Sequence, residues 1–217
     1  MTKQLDLYYQ LNQLYKLKQM GYKYIDPQIK QQNLVPSYTI KTLKKIIDDC
    51  QLCNLSKSKT QTMFGFGNLS NARIFIILDY PTQIEDKNNN IFIDNRGVML
   101  QKMIENVLNI SLDDVFVTYL NKCKPINEPT ISEKEVCFTH LEQQLQLTSA
   151  HMIISFGEDV YNYLVKDNRE KFSDIVGQNI NFYNKKLFAM QSLQKIQQNP
   201  SLKKEMFYHL NHIKGLL

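Results

Sequence analysis

Apolar residues along this 217-residue chain fall into two kinds of pattern, short continuous runs and helical stripes. Leu7, Leu11 and Leu14 predict a helix face near the N-terminus, and Pro27 and Pro36 frame a polar connector after it. Leu43, Ile46, Ile47 and Cys50 recur at i, i+3, i+4 and i+7. That spacing predicts a helix with Cys50 on its buried face at the C-terminal end and Cys53 in a short turn beyond. Residues 73–79, 114–120 and 151–156 are compact β-branched runs bounded by polar residues, and each predicts a buried strand. Residues 186–190 predict a fourth.

Helical stripes lie between these runs. Leu100, Met103, Ile104, Val107 and Leu108 follow Gly97, and Val160–Leu164 follows Gly157. Leu202, Met206, Leu210 and Ile213 form the last stripe. Ser132 and Glu135 have capping-box spacing ahead of a helix carrying Cys137, Leu141 and Leu145. Alternating strands and helices predict an α/β fold with a mostly parallel sheet covered on both faces. Functional loops are then expected at the strand C-termini, after Asp79, Tyr119, Phe156 and Met190. No internal repeat is visible.

Composition narrows the function classes. The chain is 43% apolar and 22% charged, ordinary for a globular protein. The N-terminal residues lack the apolar core of a secretory signal, and no run approaches the ~18 apolar residues of a membrane span. A cytoplasmic protein without membrane contact is expected. The net charge is +5, and residues 1–49 carry eight basic against four acidic side chains. Of 26 basic residues only Arg73, Arg96 and Arg169 are arginines, so attraction to a polyanion would rest on lysine point charges. There are four cysteines. In a cytosolic setting they read as metal ligands or thiols before disulfides. Cys50 and Cys53 form C-x2-C, and Cys123 and Cys137 lie about 70 residues later. Four thiolates suit zinc or an iron–sulfur cluster, and unrelated buried cysteines remain open as well.

The order of motifs adds to this. C-x2-C is followed by Phe64-Gly65-Phe66-Gly67, and then by an apolar strand with an acidic loop ending in Glu85-Asp86. Phe92, Lys122-Cys123-Lys124-Pro125, Cys137 and a third strand with Gly157 come next. Over residues 42–210 this resembles the iron–sulfur, family-four uracil-DNA glycosylases, and residues 1–40 look like the N-terminal helical extension of some bacterial members. The resemblance implies a three-layer α/β/α domain over 41–217 with a central four-stranded, mostly parallel sheet. It also implies a 4Fe–4S cluster on Cys50, Cys53, Cys123 and Cys137, and DNA as the partner of a monomer.

It further implies a base pocket of Pro81, Phe92, Tyr119 and Ser192, with Asp79, Glu85 and Asp86 as the acidic candidates. Phe92 matches the stacking aromatic, with a core aromatic as the plainer reading. Asp79 stands where the family has Glu, and Leu78 and Thr82 replace two loop glycines. Glu85 and Asp86 match a Glu-Asp pair and by themselves read as solvated loop charges. Tyr119 takes the place of the Asn that reads uracil, and one hydroxyl cannot supply an amide's donor and acceptor. Ser192, Leu193 and Gln194 stand in place of a His-Pro-Ser loop. His140, His151, His209 and His212 all lie elsewhere. Two functions follow: a divergent glycosylase cleaving the N-glycosidic bond of a flipped uracil or other base, or a cluster-stabilised DNA-binding protein without that activity. A zinc-stapled interaction protein is the reading unrelated to DNA.

Overall fold

The computed structural model describes residues 39–166 and 170–217. The expected helical extension over residues 1–40 therefore lies outside the described residues, except for its last two. The first described helix, α1 (Ile40–Asp48), is capped by Thr39, whose hydroxyl accepts from the Thr42 amide. It buries Leu43 and Ile47.

The sheet has five strands in the order β2-β1-β3-β5-β4. These are β1 (Ile74–Leu78), β2 (Val115–Tyr119), β3 (Met152–Phe156), β4 (Asn179–Phe182) and β5 (Lys185–Met190). β1, β2, β3 and β5 are parallel and end at one edge, as the four apolar runs predicted. The expectation of four strands is corrected by β4, which pairs antiparallel with β5. The pair is joined by Tyr183 and Asn184, with φ of 46° and 62°. Two consecutive positive φ values make the tight hairpin turn that matches strand twist. β4 was hidden in the sequence because Asn-Ile-Asn-Phe alternates exposed and half-buried positions instead of forming a buried run.

Both faces of the sheet are covered. Ile76, Val117 and Ile154 pack on one face against α3 (Asn95–Lys102), its π-helical continuation Met103–Leu108 and α8 (Leu202–Lys214). Phe75, Phe116 and Ile153 pack on the other against α4 (Ile131–Leu147) and α5 (Glu158–Val165). The remaining helices are α2 (Gln83–Asn88), α6 (Phe172–Ile175) and α7 (Leu193–Gln198). No described helix is long and apolar enough to cross a membrane.

Two local expectations shift. α4 is capped by the pair Thr130 and Glu133, two residues before the Ser132–Glu135 pattern. Gly97 lies inside the first turn of α3, not before it. A Cβ there would stand 1.9 Å from the Ile91 carbonyl oxygen, so only glycine lets the helix approach so closely. Gly67, at φ 95°, brings its segment against the β2 backbone, and Phe66 bridges Val117 there. The Phe-Gly-Phe-Gly motif thus covers an outer sheet edge that would otherwise be open.

Candidate active site and cysteine site

β1 delivers Asp79 to the sheet's C-terminal edge, and the chain turns at Tyr80 and buried Pro81 into α2. Thr82 and Glu85 cap α2 reciprocally: the Thr82 amide donates to Glu85 Oε2 at 2.7 Å, and the Glu85 amide donates to Thr82 Oγ1 at 3.3 Å. Thr82 Oγ1 also donates to Asp94, the N-cap of α3. This holds the first turns of α2 and α3 together.

Arg96, from the first turn of α3, fills the space between them. Its guanidinium reaches Asp79 Oδ1 at 3.1 Å, Glu85 Oε2 at 2.7 Å and the Tyr80 carbonyl at 2.9 Å. Burial holds protons on Asp79 and Glu85 above the usual carboxylate range, and the Arg96 charge opposes it. Burial works equally against the charge of Arg96, which Glu85 and Asp79 more than restore. The Asp79 side chain keeps 22% exposure and that of Glu85 none, so Asp79 is the carboxylate of this pair with access to solvent. Sequence reasoning named Arg96 only as one of three arginines. The available signal was a lone arginine one residue before Gly97, close to an acidic pair.

Tyr119 ends β2 and is wholly buried. Burial and then the Glu85 charge push its hydroxyl up, which keeps it neutral. Three atoms of this cluster, the Tyr119 hydroxyl, Glu85 Oε1 and Arg96 Nε, are buried without a hydrogen-bond partner. Phe92 is half-buried and meets Phe66 edge-on at 4.9 Å. Asp86 is not brought to the group. It is buried, and its carboxylate accepts from the Thr60 and Gln61 amides at 2.8 and 3.2 Å. The solvated-loop reading of Glu85-Asp86 is therefore overturned, since both side chains are buried and used. Ser192 caps α7, accepting from the Lys195 amide at 3.3 Å, and lies beside Gly157 at the neighbouring strand end.

The four cysteines come from three places. Cys50 lies two residues past the end of α1, not on its buried face, and Cys53 caps a 3-10 turn at Asn54–Lys57. Cys123 follows β2, and Cys137 is on α4. All four are free; Cys50 and Cys53 are half-buried, and Cys123 and Cys137 are buried. Burial pushes the Cys123 and Cys137 thiols up to about 12 and about 11. Lys59 opposes the first shift and Lys122 the second, while charges on Cys50 and Cys53 would add to both.

Two sulfurs also meet protein nitrogens. The Lys122 amide donates to Cys137 Sγ at 3.1 Å, and His140 Nε2 lies 3.2 Å from Cys50 Sγ. Burial, with Lys122 and Lys59 nearby, pushes His140 down to about 4, so its ring is neutral. Lys122 is fully buried, and its Nζ donates to Thr118 Oγ1, the Tyr119 carbonyl and Gln144 Oε1 at 2.6, 2.6 and 2.5 Å. Among the described residues, no three His, Cys, Asp or Glu side chains are drawn together tightly enough to hold a single metal ion.

Comparison with known proteins agrees with this architecture. Residues 64–212 match the Uracil DNA glycosylase superfamily. A type-4 uracil-DNA glycosylase of Saccharolobus solfataricus is 34% identical over 128 residues, 58% of this chain and 59% of that protein. One from Sulfurisphaera tokodaii is 28% identical over 63% of each chain, and one from Thermotoga maritima is 26% identical over 67% of this chain and 78% of its own. The chain spans about three fifths of the length of the first two. Those two are archaeal, so the likeness carries no bacterial source. With the matched span running from the segment that edges β2 into α8, the chain belongs to the uracil DNA glycosylase superfamily.

Proposed function

We propose that this chain binds DNA and acts in base-excision repair, hydrolysing the N-glycosidic bond of a flipped uracil or other altered base. The observation that carries the reading is Asp79, which stands at the C-terminal end of β1, pinned by Arg96 and still open to solvent. A carboxylate there can take the proton of an attacking water as the water oxygen bonds to C1′ and the base leaves with the glycosidic electron pair. Glu85 and Arg96 orient Asp79. Phe92 and Pro81 line the approach for the base. Tyr119 and Ser192 stand where an amide and an imidazole would read and stabilise uracil, so the preferred base is expected to differ from plain uracil.

The four cysteines are proposed to hold a 4Fe–4S cluster. When bound, it supplies a cationic core for buried thiolates and a covalent staple between the segment before β1 and the loop after β2. The donor set fits: four free thiols, with the Lys122 amide donating to Cys137 and the His140 ring nitrogen beside Cys50. A cluster places each thiolate on a different iron. The working state is taken to be a cytoplasmic monomer on DNA.

The test is anaerobic purification followed by oligonucleotides that each carry one uracil or another altered base, with abasic-site formation measured. Product that falls to background in Asp79→Asn supports the reading. One observation favours a second reading, a DNA-binding protein without hydrolysis: Arg96 already engages both carboxylates, and Tyr119 is completely buried. That reading expects salt-dependent DNA binding with no abasic product on any base.

A further inference from the structure

The two halves of the cysteine site face different surroundings. Cys50 and Cys53 line an open cleft of about 1080 Å3, whereas Cys123 and Cys137 are buried. Cys50 is also the sulfur that His140 meets, at 3.2 Å. His140 follows Cys137 by three residues on α4, so one helix face carries both a ligand and a donor to a different ligand. His140 is 6% exposed. A metal-bound cysteine sulfur carries no proton, so on this contact the hydrogen must come from the imidazole.

We propose that His140 is a positioning residue whose Nε2–H donates to the Cys50 sulfur and thereby sets the reduction potential of the cluster and its retention at the cleft. The inference rests on the 4Fe–4S reading above. A hydrogen bond to a ligand sulfur withdraws electron density, which favours the more negative, reduced state and raises the potential. The same bond buttresses the ligand sulfur that borders the cleft, where oxidation would begin. The buried pair has its own donor, the Lys122 amide on Cys137, which no side-chain substitution removes.

The experiment compares anaerobically reconstituted wild-type protein, His140→Phe and His140→Gln. Iron and sulfide are measured first, then the cluster is titrated with dithionite and followed by visible absorbance and EPR. At one applied potential, His140→Phe is expected to show a reduced-to-oxidised ratio about tenfold lower than wild type, ~59 mV for a one-electron couple. His140→Gln, whose amide can still donate, is expected to lie between. Pulsed EPR of reduced wild-type protein labelled with 15N-histidine is expected to show a 15N coupling. Equal potentials in fully loaded wild type and His140→Phe overturn the role of His140. So does the absence of 15N coupling in wild type, which decides the matter even if His140→Phe fails to load. Wild-type protein that takes up no iron or sulfide overturns the cluster reading itself, a separate outcome from the other two.

Discussion

The cysteine site and the Asp79 site both adjoin the end of β2, yet they solve the burial of acidic groups in opposite ways. At the Asp79 site the fold supplies its own cation. Arg96 touches both carboxylates at once and offsets part of the cost of burying them. At the cysteine site, burial pushes two thiols up to about 12 and about 11. Lys122, whose amide meets Cys137, is itself pushed down to about 7 by burial, with the Cys137 and Cys123 charges opposing. The buried carboxylates thus have a counter-charge built into the fold. The two buried thiols, held protonated beside a buried lysine, have none, and the proposed metal core would supply it.

The sharpest way to break this contrast is Cys123→Ala. It should abolish iron and sulfide binding and lower Tm by roughly 10 °C, about 3–4 kcal/mol at this chain length. A brown, fully loaded variant with unchanged Tm would remove Cys123 from the ligand set. Next in size is Arg96→Met, which leaves two carboxylates without their counter-charge. A loss of about 3–5 kcal/mol in urea denaturation at pH 7 is expected.

That loss should depend on pH in a defined direction. Asp79 and Glu85 hold protons more tightly folded than unfolded, so folding takes up protons and stability falls as pH rises from their ordinary values of 3.8 and 4.5 to the raised ones. Removing Arg96 raises both further. The deficit of Arg96→Met should therefore shrink as the pH is lowered towards about 5. A deficit independent of pH would mean that the guanidinium acts by packing alone.

Asp86→Ala should cost less, about 1–3 kcal/mol, by leaving the Thr60 and Gln61 amides without their acceptor. Equal stability with wild type would show that water replaces the carboxylate. The smallest effect is expected for Ser192→Ala, ~1 kcal/mol from a lost helix cap, read as a small shift in the urea midpoint. A much larger change would give Ser192 a role beyond capping.

The parallel strands were legible because Ile74–Leu78, Val115–Tyr119 and Met152–Phe156 are buried at every position, and a residue buried on both faces leaves an apolar mark wherever it stands. β4 left no such mark. The cysteines stood out because C-x2-C is a recognisable spacing, and only the family resemblance joined all four as proposed ligands. The Asp79 site was legible only in part. Glu85 and Asp86 are neighbours in sequence, but helical geometry sends them in different directions, one to Arg96 and one to the backbone at residues 60–61. Arg96 was missed because its partners lie 17 and 11 residues away, across a loop whose closure depends on the Thr82–Asp94 contact. No local pattern encodes that contact.

The Asp86 carboxylate has a consequence in time as well as in energy. Thr60 and Gln61 belong to a stretch with neither helix nor strand, where amide protons ordinarily trade with solvent quickly. Both are tied to the first turn of α2, so they can exchange only when that turn lets go. On a hydrogen-exchange clock, two loop amides should keep the pace of a helix. The strap that leads away from Cys53 and the acidic loop that leads away from β1 would then open as one cooperative unit.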